Sequence, residues 1–256
     1  MKIASFNVNG IRARMPIVLD WLGKASPDVL CLQETKVQDA DFPSEPFRDA
    51  GYHCRFSGQK GYNGVAVLSR AVPEGVRVGF VGEDPAEASR LLSVRIGGVE
   101  IVNSYIPQGQ APDSEKFIYK LEWFARLRRY FDRHFFPEGS LVWVGDFNVA
   151  PEPIDVYDPE KLRGSVGFHP EEHGALAAVK SWGFVDVFRR HNPDEKAYTY
   201  WDYRMPNALK RGLGWRIDHI WATRPMADRA TAAWIEPELR SLVRPSDHTV
   251  IVAEFE

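Results

Sequence analysis

The chain has 256 residues, 44% of them hydrophobic and 26% charged, which is ordinary globular usage and excludes a disordered or low-complexity chain. A formal net charge of -3 excludes global attraction to a polyanion, so any nucleic-acid face has to be local. Only Cys31 and Cys54 occur, in no zinc or disulfide spacing, and both read as reduced core thiols.

The opening MKIASFNVNG alternates like a strand over residues 2–8 and lacks the basic start, long apolar run and small-residue cleavage site of a secretory leader. No apolar stretch approaches the roughly 18 residues of a membrane helix. One domain over residues 1–256, in the cytoplasm and away from membranes, is the expectation. Further strand-like runs follow at 28–33, 52–57, 64–69, 90–96, 99–105, 141–144, 198–203, 215–223, 230–235 and 249–255. The turns GYNG (61–64) and Gly97-Gly98 join neighbours directly, which predicts largely antiparallel pairing.

Helical periodicity is clearest after Asp113, read as the N-cap, where Phe117, Leu121, Phe124, Leu127 and Phe131 share one face. Shorter helices fit 16–24 and 172–182. Strands in this number, with few helices, predict an α/β fold with two packed sheets and helices on their outer faces.

The strands carry polar residues where they end. LVWVGDFNVAP (141–151) runs four apolar positions into Gly145, Asp146, Phe147 and Asn148, and a buried carboxylate must be paired, solvated in a cleft or near a metal. Asn7 and Asn9 close the first run, Gln33-Glu34 the second and Tyr105 the 99–105 run. Asp218 sits inside WRIDHIW, and Ser246-Asp247-His248 precedes the last strand. Each alone is compatible with a loop start, a packed ring or an ordinary turn. Together they are what an active site at the rim of a sandwich requires, because rigid strands aim several side chains at one point.

In order, the segments FNVNGIRAR, DVLCLQETK, KGYNGVAVLS, YIPQG, GDFNVAPEPIDV, GWRIDHI and SDH resemble the motifs of the exonuclease III family of apurinic/apyrimidinic (AP) endonucleases, over almost the whole chain. GDFN and SDH belong to the wider endonuclease/exonuclease/phosphatase superfamily and specify metal-assisted phosphoester cleavage; LQETK, YIPQG and GWRID are more specific. The resemblance implies a four-layer α/β sandwich with two central sheets. It also implies a Mg²⁺-dependent enzyme, Mn²⁺ substituting, that cuts duplex DNA 5′ to abasic sites, with 3′→5′ exonuclease or 3′-end cleaning activity. Its partner would be duplex DNA with abasic sites or blocked 3′ ends, and the enzyme would act as a monomer.

By the same resemblance Glu34 is the main metal ligand, with Asn7 beside it, and Asp247 is a second metal contact or a proton route to the leaving oxygen. Asp146 orients or deprotonates the attacking water, Asn148 donates to a phosphate oxygen, and His248, held by Asp218, contacts the scissile phosphate. Tyr105 hydrogen-bonds the phosphate or assists the leaving group; relatives acting like pancreatic deoxyribonuclease or sphingomyelinase have a His there, so NSYIPQG favours DNA repair. Tyr200, Trp215 and Ile217 line the pocket for a flipped abasic sugar, and Gln108 reaches phosphate. Asn9 stands where some relatives carry Asp, which weakens any second metal there.

YRMPNALKRGLGWR (203–216) places Arg204, Lys210, Arg211 and Arg216 in a segment without acid and beside aromatics, a phosphate-tracking loop by composition; Trp201 reads as turned inward. Arg12, Lys60, Lys116 and Lys120 are phosphate contacts or plain surface charge. HPEEH (169–173) imitates a zinc motif, but Pro170 enters its first turn and no Glu follows the first His, so it is read as no metal site. The competing readings are another superfamily phosphoesterase, such as a phosphatase or RNA nuclease, and a non-catalytic nucleic-acid-binding relative.

Overall fold

The computed structural model describes residues 1–80 and 89–256. The described strands form two six-stranded sheets. The first runs β11 (Ala230–Glu236), β12 (Val250–Phe255), β1 (Lys2–Asn7), β2 (Val29–Gln33), β4 (Val65–Ser69) and β3 (His53–Ser57). The second runs β5 (Glu74–Val78), β6 (Leu91–Ile96), β7 (Val99–Tyr105), β8 (Leu141–Asp146), β10 (Asp218–Thr223) and β9 (Phe184–Asp186). Only β1/β2 and β7/β8 pair in parallel among these neighbours, so the sheets are mixed and mainly antiparallel, as expected.

The period of two along each strand divides the residues between layers. In β8, Val142 and Val144 face the other sheet, while Leu141 and Trp143 face outward into an aromatic cluster with Phe131, Phe147 and Trp221. In β1, Ile3 points between the sheets, and Ala4 and Phe6 point out to α1 (Ile11–Ala25). That helix and α2 (Ser44–Asp49) cover the first sheet; α3 (Glu115–His134) and α5 (Pro170–Lys180) cover the second. Each large apolar side chain buried in these layers contributes about 1.5–3 kcal/mol. The four-layer sandwich is therefore present, completed by α4 (Pro159–Leu162), α6 (Val187–His191) and α7 (Arg224–Ala227).

A polar link crosses the interlayer. Gln33 Nε2 donates to Asn103 Oδ1 at 2.8 Å, and Asn103 Nδ2 donates back to Leu32 O at 3.0 Å and Ala66 O at 2.9 Å. These directional bonds between buried amides favour one register of sheet on sheet, although Gln33 Oε1 is itself buried without a partner among the described residues.

Several boundaries differ from the sequence reading. Residues 198–203 form no strand; Tyr200 makes single bridges to Trp215 and His248, because this segment passes across the sheet ends instead of joining an edge. The short β9 and the exposed edge strand β5 lack an apolar alternation long enough to read. Pro16 lies inside α1 and not at its start; it is exposed, as is Arg12, whose carbonyl it leaves without a helical donor. Ser114 caps α3, its side chain accepting from Phe117 N at 3.1 Å, while Asp113 takes a left-handed φ of 62° one residue earlier. Both cysteines are free and buried. Among the described residues no helix is long and apolar enough to cross a membrane.

Candidate active site

Period-two alternation explains how polar groups reach one point. Asn7 continues the inward positions Ile3 and Ser5 of β1, Asp146 continues Val142 and Val144 of β8, and Asp218 precedes the inward Ile220 and Ala222 of β10. Register aligns them: Asp146 pairs with Asp218 on one side and Tyr105 on the other. Gly145 permits the close approach of β7, since a Cβ there would lie 1.9 Å from Ser104 O. The interlayer ends at this rim, and its last residues face a cleft of about 360 Å³ in place of apolar neighbours.

Asn7 joins the two carboxylates. Its Nδ2 donates to Glu34 Oε1 at 2.9 Å and Asp146 Oδ2 at 2.8 Å, and its Oδ1 accepts from Asn9 N at 3.0 Å. Asn7 is fully buried with these atoms engaged, so it holds the carboxylates and does not itself line the cleft. Ligand atoms of Glu34, Asp146 and His248 lie within 4.8 Å of one another. His248 Nδ1 meets Asp218 Oδ2 at 2.7 Å, leaving Nε2 3.8 Å from Asp146 Oδ2.

The electrostatics follow from this packing. Burial alone would pull the His248 imidazole down, but Asp218 and Asp146 outweigh it and push it up, so it stays imidazolium at neutral pH. Burial, then the charges of Asp218 and Glu34, push the Asp146 carboxyl up against the pull of His248. Burial also opposes charge on Glu34, yet hydrogen bonds from Asn7 and Lys36, with the Lys36 ammonium 2.8 Å from Oε2, hold it below the ordinary range. Tyr105 is pushed far up by burial and by Glu34 and Asp146, so its phenol keeps its proton and serves as a donor.

The remaining expected residues collect here too. Gln108, Asn148, Tyr200, Arg204, Trp215, Ile217 and Asp247 line the same cleft as Glu34, Tyr105, Asp146 and His248, and Asp218 stands behind His248. Asn148, at a left-handed φ of 52°, gives its N–H to Asp146 Oδ1 at 2.9 Å and one Nδ2 hydrogen to Ile106 O at 2.9 Å. Asp247 stays outside the three-group cluster; its Oδ1 accepts from Asn9 Nδ2 at 2.9 Å. Trp201 is turned inward against Tyr198, as expected.

Two features of the basic loop are corrected. Arg216 is completely buried, paired with Asp155 at 2.7 Å and Asp186 at 2.8 Å, so it is a structural charge and no phosphate contact. Arg204 is exposed and clasped by Asp202, which lies one residue before the acid-free stretch. Lys120 is neither a phosphate contact nor surface charge: it is fully buried against Glu172. His169 caps α5 by accepting from Glu171 N, and His173 Nε2 meets Ala150 O at 2.9 Å. Lys36, Asp155 and Glu172 were missed as site-supporting residues; only Lys36 had a local signal, its place in LQETK.

Residues 4–248 match the model of the Endonuclease/Exonuclease/phosphatase family. The chain belongs to this family. It is 34% identical to the exodeoxyribonuclease III of Haemophilus influenzae, across 100% of both chains. Its fold superposes on an AP endonuclease from Archaeoglobus fulgidus with a TM-score of 0.97 at 45% identity, covering 100% of this chain and 99% of the other. A Neisseria 3′ phosphatase, NExo, bound to a product DNA hairpin, gives 0.94 at 40% identity over 100% and 99%. The family member is thus of the exonuclease III type, a nuclease-class hydrolase of DNA repair, as the sequence motifs implied.

Proposed function

We propose that this chain is a Mg²⁺-dependent AP endonuclease that cuts duplex DNA on the 5′ side of an abasic nucleotide, leaving a 3′-hydroxyl and a 5′-deoxyribose phosphate. The observation that carries the reading is the convergence of Glu34, Asp146 and His248 within 4.8 Å at one end of a cleft walled by Tyr200, Trp215 and Ile217. Charge-handling groups and a sugar-sized apolar pocket share one opening.

The donor set fits a hard divalent cation. Glu34 and Asp146 offer carboxylate oxygens, and no thiol is near. Glu34 would hold the ion, with Asp247 as a further oxygen at the cleft. Bound there, Mg²⁺ supplies neutralisation of phosphate charge at the reacting centre.

The protein's own residues account for the rest. Asp146, held by Asn7 and Asn148 N, orients a water and takes its proton, and raised basicity in a buried site suits it to that task. The water oxygen bonds to phosphorus as the P–O3′ bond breaks; the leaving oxygen takes a proton from solvent water, and Asp146 later returns the one it took to solvent. His248 donates from Nε2 to a phosphate oxygen, while Asp218 keeps its ring oriented and charged. Tyr105 and the second Nδ2 hydrogen of Asn148 donate to the same phosphate, so donors meet the charge where it grows. Trp215 and Tyr200 receive the base-free sugar, which costs less to extrude than a stacked nucleotide.

The likeness to a 3′ phosphatase supports a second activity of the same site, removal of groups blocking 3′ ends. A single catalytic domain over 1–256, a monomeric state and a cytoplasmic location form part of this reading. The deciding experiment incubates the protein with a duplex carrying one tetrahydrofuran residue, with and without chelator. Metal-dependent nicking at that position, giving a 3′ end that a polymerase extends, is expected. Cleavage of undamaged DNA or RNA at equal rate, or none at the tetrahydrofuran site, overturns it; a duplex with a 3′-phosphate tests the second activity.

A further inference from the structure

Lys120 of α3 and Glu172 of α5 form an ion pair with both side chains completely buried, outside the Glu34, Asp146 and His248 cluster. All three ammonium hydrogens are used: Nζ donates to Glu172 Oε1, to Asn148 O at 2.7 Å and to Gln108 O at 3.2 Å. The second carboxylate oxygen of Glu172 accepts from Gly167 N at 2.7 Å and His169 N at 3.2 Å. Gln108, Asn148 and Gly167 come from three separate loops, and all three line the cleft. The pair therefore binds the backbones of three cleft walls from behind.

The wall at Gly167 is set at contact distance. Gly167 has a φ of +88°, and a Cβ built on it would lie 3.3 Å from Trp215 Cζ3 and 3.4 Å from Asn148 O. A shift of this loop against Asn148 would change the space beside Trp215 directly.

Stability alone does not call for the two charges. Removing two charges from water costs several kcal/mol each, and a well-packed apolar pair is often as stable or more so. What an apolar pair cannot do is hold two carbonyls and two N–H groups of different loops in fixed relation.

We propose that the Lys120–Glu172 ion pair is a positioning device that fixes the spacing between the phosphate-facing Asn148 and the pocket wall at Gly167, and so governs turnover and selectivity at an abasic nucleotide. This rests on the AP endonuclease reading. Lys120 and Glu172 act through Asn148 and Gly167, without touching substrate.

The test compares wild type with Lys120→Met/Glu172→Leu and with Glu172→Gln, which keeps the shape and one acceptor. The double variant leaves two carbonyls and two N–H groups without these partners and is expected to melt below wild type; assayed well below its midpoint, it should lose roughly 10- to 100-fold in kcat on tetrahydrofuran duplex, the size of effect a 1 Å misplacement produces. Binding of undamaged duplex stays unchanged, and the Gly167 and His169 amides lose protection from hydrogen exchange. Glu172→Gln gives a smaller kcat loss and carries the test if the double variant does not fold. Unchanged kcat and abasic preference in a folded variant overturn the proposal. If wild type itself ignores the tetrahydrofuran duplex, the AP endonuclease reading has failed; amide protection at Gly167 that survives in the variants then overturns the positioning role independently.

Discussion

At the residue scale, the separate roles we propose for Asp146 and His248 rest on their different surroundings. Asp146 is held by Asn7 and the Asn148 N–H, its ion-pair contact being His248 Nε2 at 3.8 Å, so burial pushes its carboxyl up, as the proposed base requires. Asp146→Asn should lower kcat by about 10²–10⁴-fold, the usual contribution of a general base, while fluorescence anisotropy shows abasic duplex bound nearly as before. Turnover close to wild type would remove Asp146 from that role. His248, pushed up to about 10 chiefly by Asp218 once burial is overcome, keeps its proton below that pH and loses its donor as pH rises through it. In Asp218→Asn the ring pKa should fall and the alkaline limb of kcat/KM should move to lower pH, readable by NMR titration of His248 beside the rate profile. An unmoved limb argues against the Asp218 contact as the cause.

At the element scale, the segment leading into β10 is tied down by charge. Arg216 pairs with Asp155 and Asp186 and meets His219 Nδ1 at 3.0 Å, and His219 Nε2 meets Val149 O at 3.0 Å. Arg216→Met leaves the buried Asp186 without its cation and Asp155 with Arg189 alone, and should cost about 3–5 kcal/mol in urea unfolding. The same network sets an acid limit. Burial and the Arg216 charge hold His219 down at about 4 from an ordinary 6.5, so between these values the unfolded chain binds more protons than the folded one. That stability is complete above pH 6.5 and is lost as pH falls through about 4; Asp186, held at about 2 by Arg216 against its burial, adds a second loss between 3.8 and 2. The urea midpoint should therefore fall between pH 7 and pH 4.5, and a constant midpoint contradicts the account. Elements such as α3 were legible because Phe117, Phe124, Leu127 and Phe131 repeat at helical spacing. Segment 198–203 forms no strand because its aromatics are divided: Tyr200 lines the cleft, while Tyr198 and Trp201 pack in a separate apolar cluster.

For the whole molecule, the two sheets meet in a core built of Val, Ile, Leu and Phe, and the candidate metal groups are held by protein partners: Asn7 and Lys36 on Glu34, Asn7 on Asp146, Asp218 on His248. The fold should therefore not depend on the ion. Chelation is expected to stop cleavage and leave the far-UV circular dichroism unchanged. Restoring Mg²⁺ at a hundredfold excess over its dissociation constant should add about 2.7 kcal/mol through mass action alone. Unfolding on chelation would show that the site helps to build the sandwich.

The sequence by itself determined the chemistry and the layers. Period-two strands carry Asn7, Tyr105 and Asp146 at their ends and Asp218 at a start, where one residue's parity decides which face it reaches; Glu34 follows β2 at a left-handed φ of 52°. Only the tertiary structure decided which charges act. Arg216 and Lys120 look like surface cations in the chain, yet Asp155, Asp186 and Glu172, distant in sequence, draw them into the interior. Pairing across 30 to 61 residues depends on how loops pack, and local spacing holds no record of it.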